Sequence, residues 1–305
     1  MDNLRHLFSM AMLLTTIRLA IPLILAAIGA TICERTGVIN LGIEGMMLFG
    51  SFAGVFGSHI TQSPWMGVLM AVVVGGIVGL GYAAICLRLK ANQSVVGVGL
   101  NILAAGVTVV LTRAIWNSDG ISGTVKQVPN VTVPLVSRIP YAGELFSNQS
   151  PLFFITILIV VAAWLFMYRT KQGLRLRAIG DHPQAAATVG IPVARYRYLA
   201  VCVCGMLCGL GGAYLSIVQN SMFVNNMVAG RGFMALAANI FGGWNPLGSA
   251  LASLVFAFAQ SVRIILDINI PNQFLQMLPY FLTLLVLVGV GRKVKGPAAL
   301  GEIGD

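Results

Sequence analysis

A chain of 305 residues with 57% hydrophobic and only 9% charged side chains cannot hide its apolar surface in a water-soluble fold. Soluble domains carry about 25% charged residues, whereas a bilayer accepts the excess because lipid replaces water around the outer faces. The net charge of +10 is gathered in clusters between apolar runs, as the positive-inside rule predicts. No basic–aromatic surface of the kind that reads RNA accompanies it, so no nucleic acid is expected as a partner.

In chain order, the runs apolar enough to cross a membrane at about 20 residues each fall near 10–33, 38–58, 65–88, 94–116, 151–168, 196–218, 229–243, 248–265 and 274–291. The fold class expected is therefore an all-α polytopic bundle of about nine spans (eight to ten), a single domain over 1–305. The first run is too long for a signal-peptide core and lacks a clear cleavage site, so it reads as a retained helix. Segment 169–197, with Arg169, Lys171, Arg175, Arg177, Arg195 and Arg197 against Asp181 alone, reads as cytoplasmic, with a coupling loop at about 169–195. So do the Arg88/Lys90 loop and the tail with Arg292, Lys293 and Lys295. The neutral loop 117–150, rich in Pro, Asn and Ser, reads as external.

Two segments are interrupted by glycine: Gly37 to Gly45, and Gly230 to Gly248. Broken helices in corresponding places of two halves point to a transport site, which makes Gly37, Gly42, Gly45, Gly242 and Gly243 candidate hinges. Glycines also let helices approach closely, and pairs such as Gly50/Gly54, Gly75/Gly79 and Gly205/Gly209 suit that role. Both readings stand at this point.

Polar groups within apolar runs are costly and need a partner, a cavity or a solute. Asn40 and Glu44 are four apart and would share one face of a helix. They either line a path or pair internally, Glu34 or Glu44 with Arg18 or Arg35. Asn101, Gln219 and Asn239 suit a neutral, hydrogen-bonding solute or interhelical bonds equally. Cys33, Cys86, Cys202, Cys204 and Cys208 read as small buried hydrophobes. Although Cys204 and Cys208 are one turn apart, no metal and no cofactor is expected. No nucleophile elbow, paired acids or paired histidines suggest an enzyme. No GxxxxGK[ST] loop is present, so any ATP must be bound by another chain.

In the cytoplasmic segment, Asp181 is a candidate cap for a short helix that begins at Pro183 and stops at Gly190. Such a helix between basic flanks is a docking feature or an ordinary interfacial helix.

At these residues the sequence resembles a known family. The run from Glu34 through Asn40 and Glu44 to Gly50 is similar to the signature of bacterial ABC permeases of the ribose and branched-chain amino acid superfamily, and most similar to its nucleoside branch. Gln184-Ala185-Ala186-x3-Gly190 resembles the EAA-x3-G coupling motif, with Gln in place of Glu and without the downstream hydrophobic-Pro part. The glycine-rich run from Arg231 to Gly248 is a third match. The resemblance implies alternating access and a coupling loop including Arg177, Asp181, Gln184, Ala185, Ala186 and Gly190. It also implies an ABC ATPase, a longer paralogous permease and an extracytoplasmic substrate-binding lipoprotein as partners, in a bacterial plasma membrane whose lipid surrounds the chain. The alternative is an ion-coupled secondary transporter using Glu34, Glu44 or Asp267.

Overall fold

The computed structural model describes residues 10–131, 149–265 and 296–302. Ten helices run through them. They are α1 (Met10–Glu34), α2 (Ile43–Thr61), α3 (Pro64–Ala83), α4 (Gln93–Trp116), α5 (Pro151–Arg169), α6 (Lys171–Asp181), α7 (Pro183–Thr188), α8 (Val193–Ala213), α9 (Arg231–Phe241) and α10 (Pro246–Ile265). Helix α3 continues as a wide π turn over Ala84–Arg88, and α8 as another over Tyr214–Asn220. Among the described residues, extended pairing is confined to two isolated bridges, Ile121 with Val224 and Val131 with Gln149.

Local chemistry sets the starts. Asn92 accepts from the backbone of Ser94 and Val95 to cap α4, Ser150 caps α5 through Leu152, and Thr170 caps α6 through Gly173. Each side chain satisfies an amide that the first turn leaves without a helical acceptor. Pro64 and Pro151 open α3 and α5, where a missing N–H is harmless.

Five helices are long and apolar enough to cross a membrane: α1, α3 to Arg88, α4, α5, and α8 to Asn220; the apolar stretch Pro246–Val262 of α10 is shorter. The expected count of about nine is not reached among the described residues. Run 229–243 is not a span, because α9 has only 11 residues and reaches about 16 Å at 1.5 Å per residue. Run 38–58 begins as a turn and becomes helical only at Ile43. Run 274–291 lies outside the described residues, as does Asp267.

Helices α1 and α8 form the centre. Their most apolar windows are 67% and 83% buried, against 22–33% for α3, α4 and α5, whose outer faces meet lipid. Backbone approach at glycine joins the layers. A Cβ built on Gly205 would lie 2.2 Å from the Gly75 carbonyl oxygen, and one on Gly209 2.2 Å from that of Ala71. Gly50 of α2 meets Gly209 as closely, and Gly212 meets Met47. In lipid, helix association relies on such close packing rather than on expulsion of water. The small-residue pairs in α2, α3 and α8 are therefore contact surfaces.

The same contacts fix depth. Along α8, Gly29 of α1 is level with Cys204, and Gly50 of α2 with Gly209. Since α2 runs in the same direction as α8, its first residue, Ile43, lies near the level of Cys204, eleven residues into α8. At 1.5 Å per residue that is about 16 Å from the start of α8. After Glu34 the chain thus folds back inward, and α2 begins inside the bundle.

Candidate functional site: two half-helices meeting at Glu44

The turn from Arg35 to Gly42 is pinned inside the bundle. Asn40 is fully buried, accepts from the Gly42 amide at 3.0 Å and lies 3.5 Å from Cys204 Sγ. Asn101 reaches in from α4, accepting from the Gly45 amide at 2.8 Å and donating to the Leu41 carbonyl at 2.9 Å. It spans the start of α2, where amides lack helical partners. A Cβ on Gly45 would press the Asn101 backbone at 3.1 Å. The expectation that Asn40 and Glu44 share a helical face is corrected. Asn40 precedes the helix, because the turn before Ile43 breaks the periodicity.

A second chain segment arrives at the same depth. Residues 221–230 run inward from the outer end of α8, and Phe223 packs edge-on against Phe52 at 5.6 Å. Trp116 of α4 meets Phe52 from another side at 6.0 Å. The segment ends at Gly230, whose φ of +82° favours glycine, and α9 begins. Glu44 accepts from the amide of that helix's N-cap and from the amide of its second residue. Its Oε1 accepts from Gly230 at 2.8 Å and its Oε2 from Gly232 at 2.7 Å. One carboxylate therefore sits at the N-termini of two helices that both begin within the bundle, where backbone dipoles favour negative charge. Gly232 is required there, since a Cβ would lie 2.5 Å from the Glu44 amide nitrogen.

The far end of α9 meets a second carboxylate, Glu34, which is buried. Glu34 Oε2 accepts from Trp244 Nε1 at 2.6 Å and from Asn239 Nδ2 at 2.8 Å. Thr31 donates to Asn239 Oδ1 at 2.7 Å, and its hydroxyl lies 2.9 Å from that of Ser249. Arg35 points elsewhere, donating to the Trp244 and Gly243 carbonyls at 2.8 and 3.2 Å. The internal ion pairs envisaged for Glu34 and Glu44 with Arg18 or Arg35 do not form, because amide and indole donors reach the carboxylates first. Gly242 and Gly243 make the sharp turn into α10, with a Cβ on Gly242 only 2.2 Å from the Ser249 amide nitrogen and Gly243 at φ +67°.

On the face that gathers the basic loops, α6 and α7 follow α5. Arg177 lies over the Tyr168 ring at 4.7 Å. Helix α7 presents Gln184 and Ala185 outward and buries Ala186, and Gly190 ends it at φ +79°. Asp181 is not its cap. It is the last residue of α6, and His182 occupies the junction without a side-chain cap bond. Residues 296–302 seal this face. The Ala299 amide donates to Gly180 at 2.9 Å, the Gly301 amide to Gly37 at 2.8 Å, and Arg197 donates to the carbonyls of Thr36 and Glu302, each at 3.2 Å.

Residues 12–287 match the family model described as branched-chain amino acid transport system / permease component. The chain belongs to this permease family. It is 36% identical to the guanosine ABC transporter permease protein NupQ of Bacillus subtilis, over 94% of this chain and 93% of that one. It is 37% identical to the nucleoside ABC transporter permease protein NupC of Lactococcus lactis, over 92% of each. A putative glucose ABC transporter permease protein of Haloferax volcanii is 36% identical over 87% of this chain and 82% of its own. A paralogue in the same B. subtilis strain, the guanosine ABC transporter permease protein NupP, is 23% identical over 78% of this chain but 69% of its own, so it is the longer protein. The protein is a multi-pass permease subunit of an ABC importer, not itself an enzyme, and the ion-coupled alternative is set aside.

Of the polar residues singled out in the permease sequence, Asn40, Glu44 and Asn101 converge on the start of α2. Asn239 belongs to the Glu34 cluster at the other end of α9. Gln219 stands apart at the outer end of α8, donating to the Arg18 carbonyl at 3.0 Å. Cys204 and Cys208 lie 4.0 Å apart through sulfur, and no group of three or more metal-ligating side chains occurs among the described residues. Sequence reasoning passed over Trp244, Phe52, Phe223 and the 296–302 segment. Trp244 had a signal, being a bulky residue directly after Gly242-Gly243, and its φ of +53° is rare for such a side chain.

Proposed function

We propose that this permease imports nucleosides, with ATP hydrolysed by a partner ABC ATPase. The observation that carries the substrate class is the 36–37% identity to guanosine and nucleoside permeases over more than nine-tenths of each chain. The Glu44 junction supports it. Phe52, Phe223 and Trp116 form an aromatic group on the outer side of it, and base faces stack well on aromatic rings. The glucose relative favours a hexose as the second reading; both solutes present sugar hydroxyls.

In this reading Asn40, Glu44, Asn101, Gln219 and Asn239 are the polar groups met along the path, and Gly37, Gly42, Gly45, Gly242 and Gly243 are hinges. The loop carrying Arg177, Asp181, Gln184, Ala185, Ala186 and Gly190 docks on the ATPase at the cytoplasmic face. The carboxyl terminus lies on that face, supported by the contacts of residues 296–302 with Gly180 and Gly37. A longer paralogous permease completes the membrane pair, as NupP stands beside NupQ, and an extracytoplasmic substrate-binding lipoprotein delivers the solute. ATP closure moves α6 and α7. Helix α6 bears on the Arg35 turn through Gly180, and the half-helices at Glu44 then separate to open one side at a time.

The test is uptake by proteoliposomes holding the complex purified by a tag on this chain. Labelled guanosine should accumulate only with internal ATP, and unlabelled glucose should not compete. Competition by glucose at equal concentration would transfer the assignment to hexoses. Isolation of the chain without an ATPase would remove the coupling scheme.

A further inference from the structure

Beyond the transport path, a groove opens on the lipid-facing side between α1, α5 and α8, closed at one end by α6. Its volume is about 750 Å³. Ile32, Ile159, Ala163, Phe166, Leu199 and Val203 are among its walls, all from spanning helices. Polar character is confined to the end under α6, where Arg175 and Arg195 stand at the rim beside Gln172 and Tyr196. Tyr196 donates to Gln172. Both arginines are exposed, and neither makes a hydrogen bond or ion pair among the described residues. No acidic residue lines the groove.

We propose that this groove is a binding site for one phospholipid with an anionic headgroup, its acyl chains along α5 and α8 and its phosphate between Arg175 and Arg195. The shape demands an amphiphile. A polar solute would leave the long apolar wall wet, and a wholly apolar one would leave two guanidiniums without a counter-charge. Guanidinium forks match phosphate oxygens in pairs. The basic end lies at the level of the other Lys- and Arg-rich loops, so the headgroup belongs to the cytoplasmic leaflet, where basic pockets between spanning helices meet anionic lipid. The occupant would touch Leu176 of α6 and Pro192, the residues on either side of α7. It would thus brace the helix pair proposed to receive the ATPase. The lipid site itself is independent of which solute is carried.

The experiment uses the purified complex, delipidated in mild detergent and titrated with phosphatidylglycerol or phosphatidylcholine of equal chain length under native mass spectrometry. Phosphatidylglycerol should bind preferentially. Arg175→Gln with Arg195→Gln should weaken it about thirtyfold, from about 1 kcal/mol per basic residue. Ala162→Trp fills the apolar wall and leaves both arginines, and it should also displace the lipid. Both variants should melt with the parent, since the three altered side chains are exposed. Equal binding of the two lipids, or undiminished phosphatidylglycerol in both variants, would overturn the proposal. So would crosslinking of an Ala162→Cys variant through its new thiol to the second permease, which would make the groove a protein interface.

Discussion

Glu44 offers the sharpest test of how the two half-helices are held. In Glu44→Ala the amides of Gly230 and Gly232 lose acceptors now at 2.8 and 2.7 Å. Hydrogen bonds to a charged group contribute about 1.5–3 kcal/mol each, and a buried donor left without a partner costs about 1–3 kcal/mol. Glu44 is partly rather than fully buried, so water recovers some of this, and a loss of about 2–4 kcal/mol is expected. At roughly 2 °C per kcal/mol for a chain of this size, the melting midpoint in detergent should fall by about 4–8 °C. Glu44→Gln keeps one acceptor oxygen and turns a donor toward the other amide, so it should fall between alanine and the parent. Uptake should fall in the same order, because α2 and α9 would no longer start from a shared anchor. An alanine variant with unchanged melting and uptake would refute the reasoning. A glutamine variant as damaged as alanine would show that negative charge at two helix N-termini, not the number of acceptors, holds the junction.

Three further outcomes follow from named contacts. Gly205→Ala places a Cβ 2.2 Å from the Gly75 carbonyl oxygen and should cost about 1–3 kcal/mol in detergent melting. Gly99→Ala or Gly106→Ala, with nothing within 4 Å, should be neutral or stabilising by about 0.5–1 kcal/mol; equal effects at all three would show that the α3–α8 crossing is not tight. Trp244→Phe removes the indole donor to Glu34 and should cost about 1–3 kcal/mol, read as a lowered midpoint with correct membrane insertion. Ala186→Pro removes the hydrogen bond from the Ala186 amide to the His182 carbonyl at 3.0 Å and should abolish ATP-driven uptake while lowering the midpoint by about 6 °C, from about 3 kcal/mol for a proline within a helix, with membrane insertion unchanged; normal uptake would sink the proposed coupling role.

The membrane setting, the helical class and most long spans were legible in composition and run length, because lipid acts on every residue of a spanning helix in the same way. The two glycine-broken segments were legible as well, and both contain a helix that begins inside the bundle. Run length failed at 229–243. Hydropathy counts apolar residues but does not register that Gly230 and Gly242-Gly243 cut the run to an 11-residue helix. The partners of Glu34 and Glu44 were also hidden. Sequence displays charges, and so it suggests arginine as their counterpart, but the groups that reach them are an indole, an amide side chain and two backbone N–H groups. The backbone donors carry no mark along the chain, and nothing in the sequence pairs Trp244 or Asn239 with Glu34. Gly230 lies 186 residues from Glu44, and only the crossing of α1, α2 and α8, set by glycine contacts between their backbones, brings the two together.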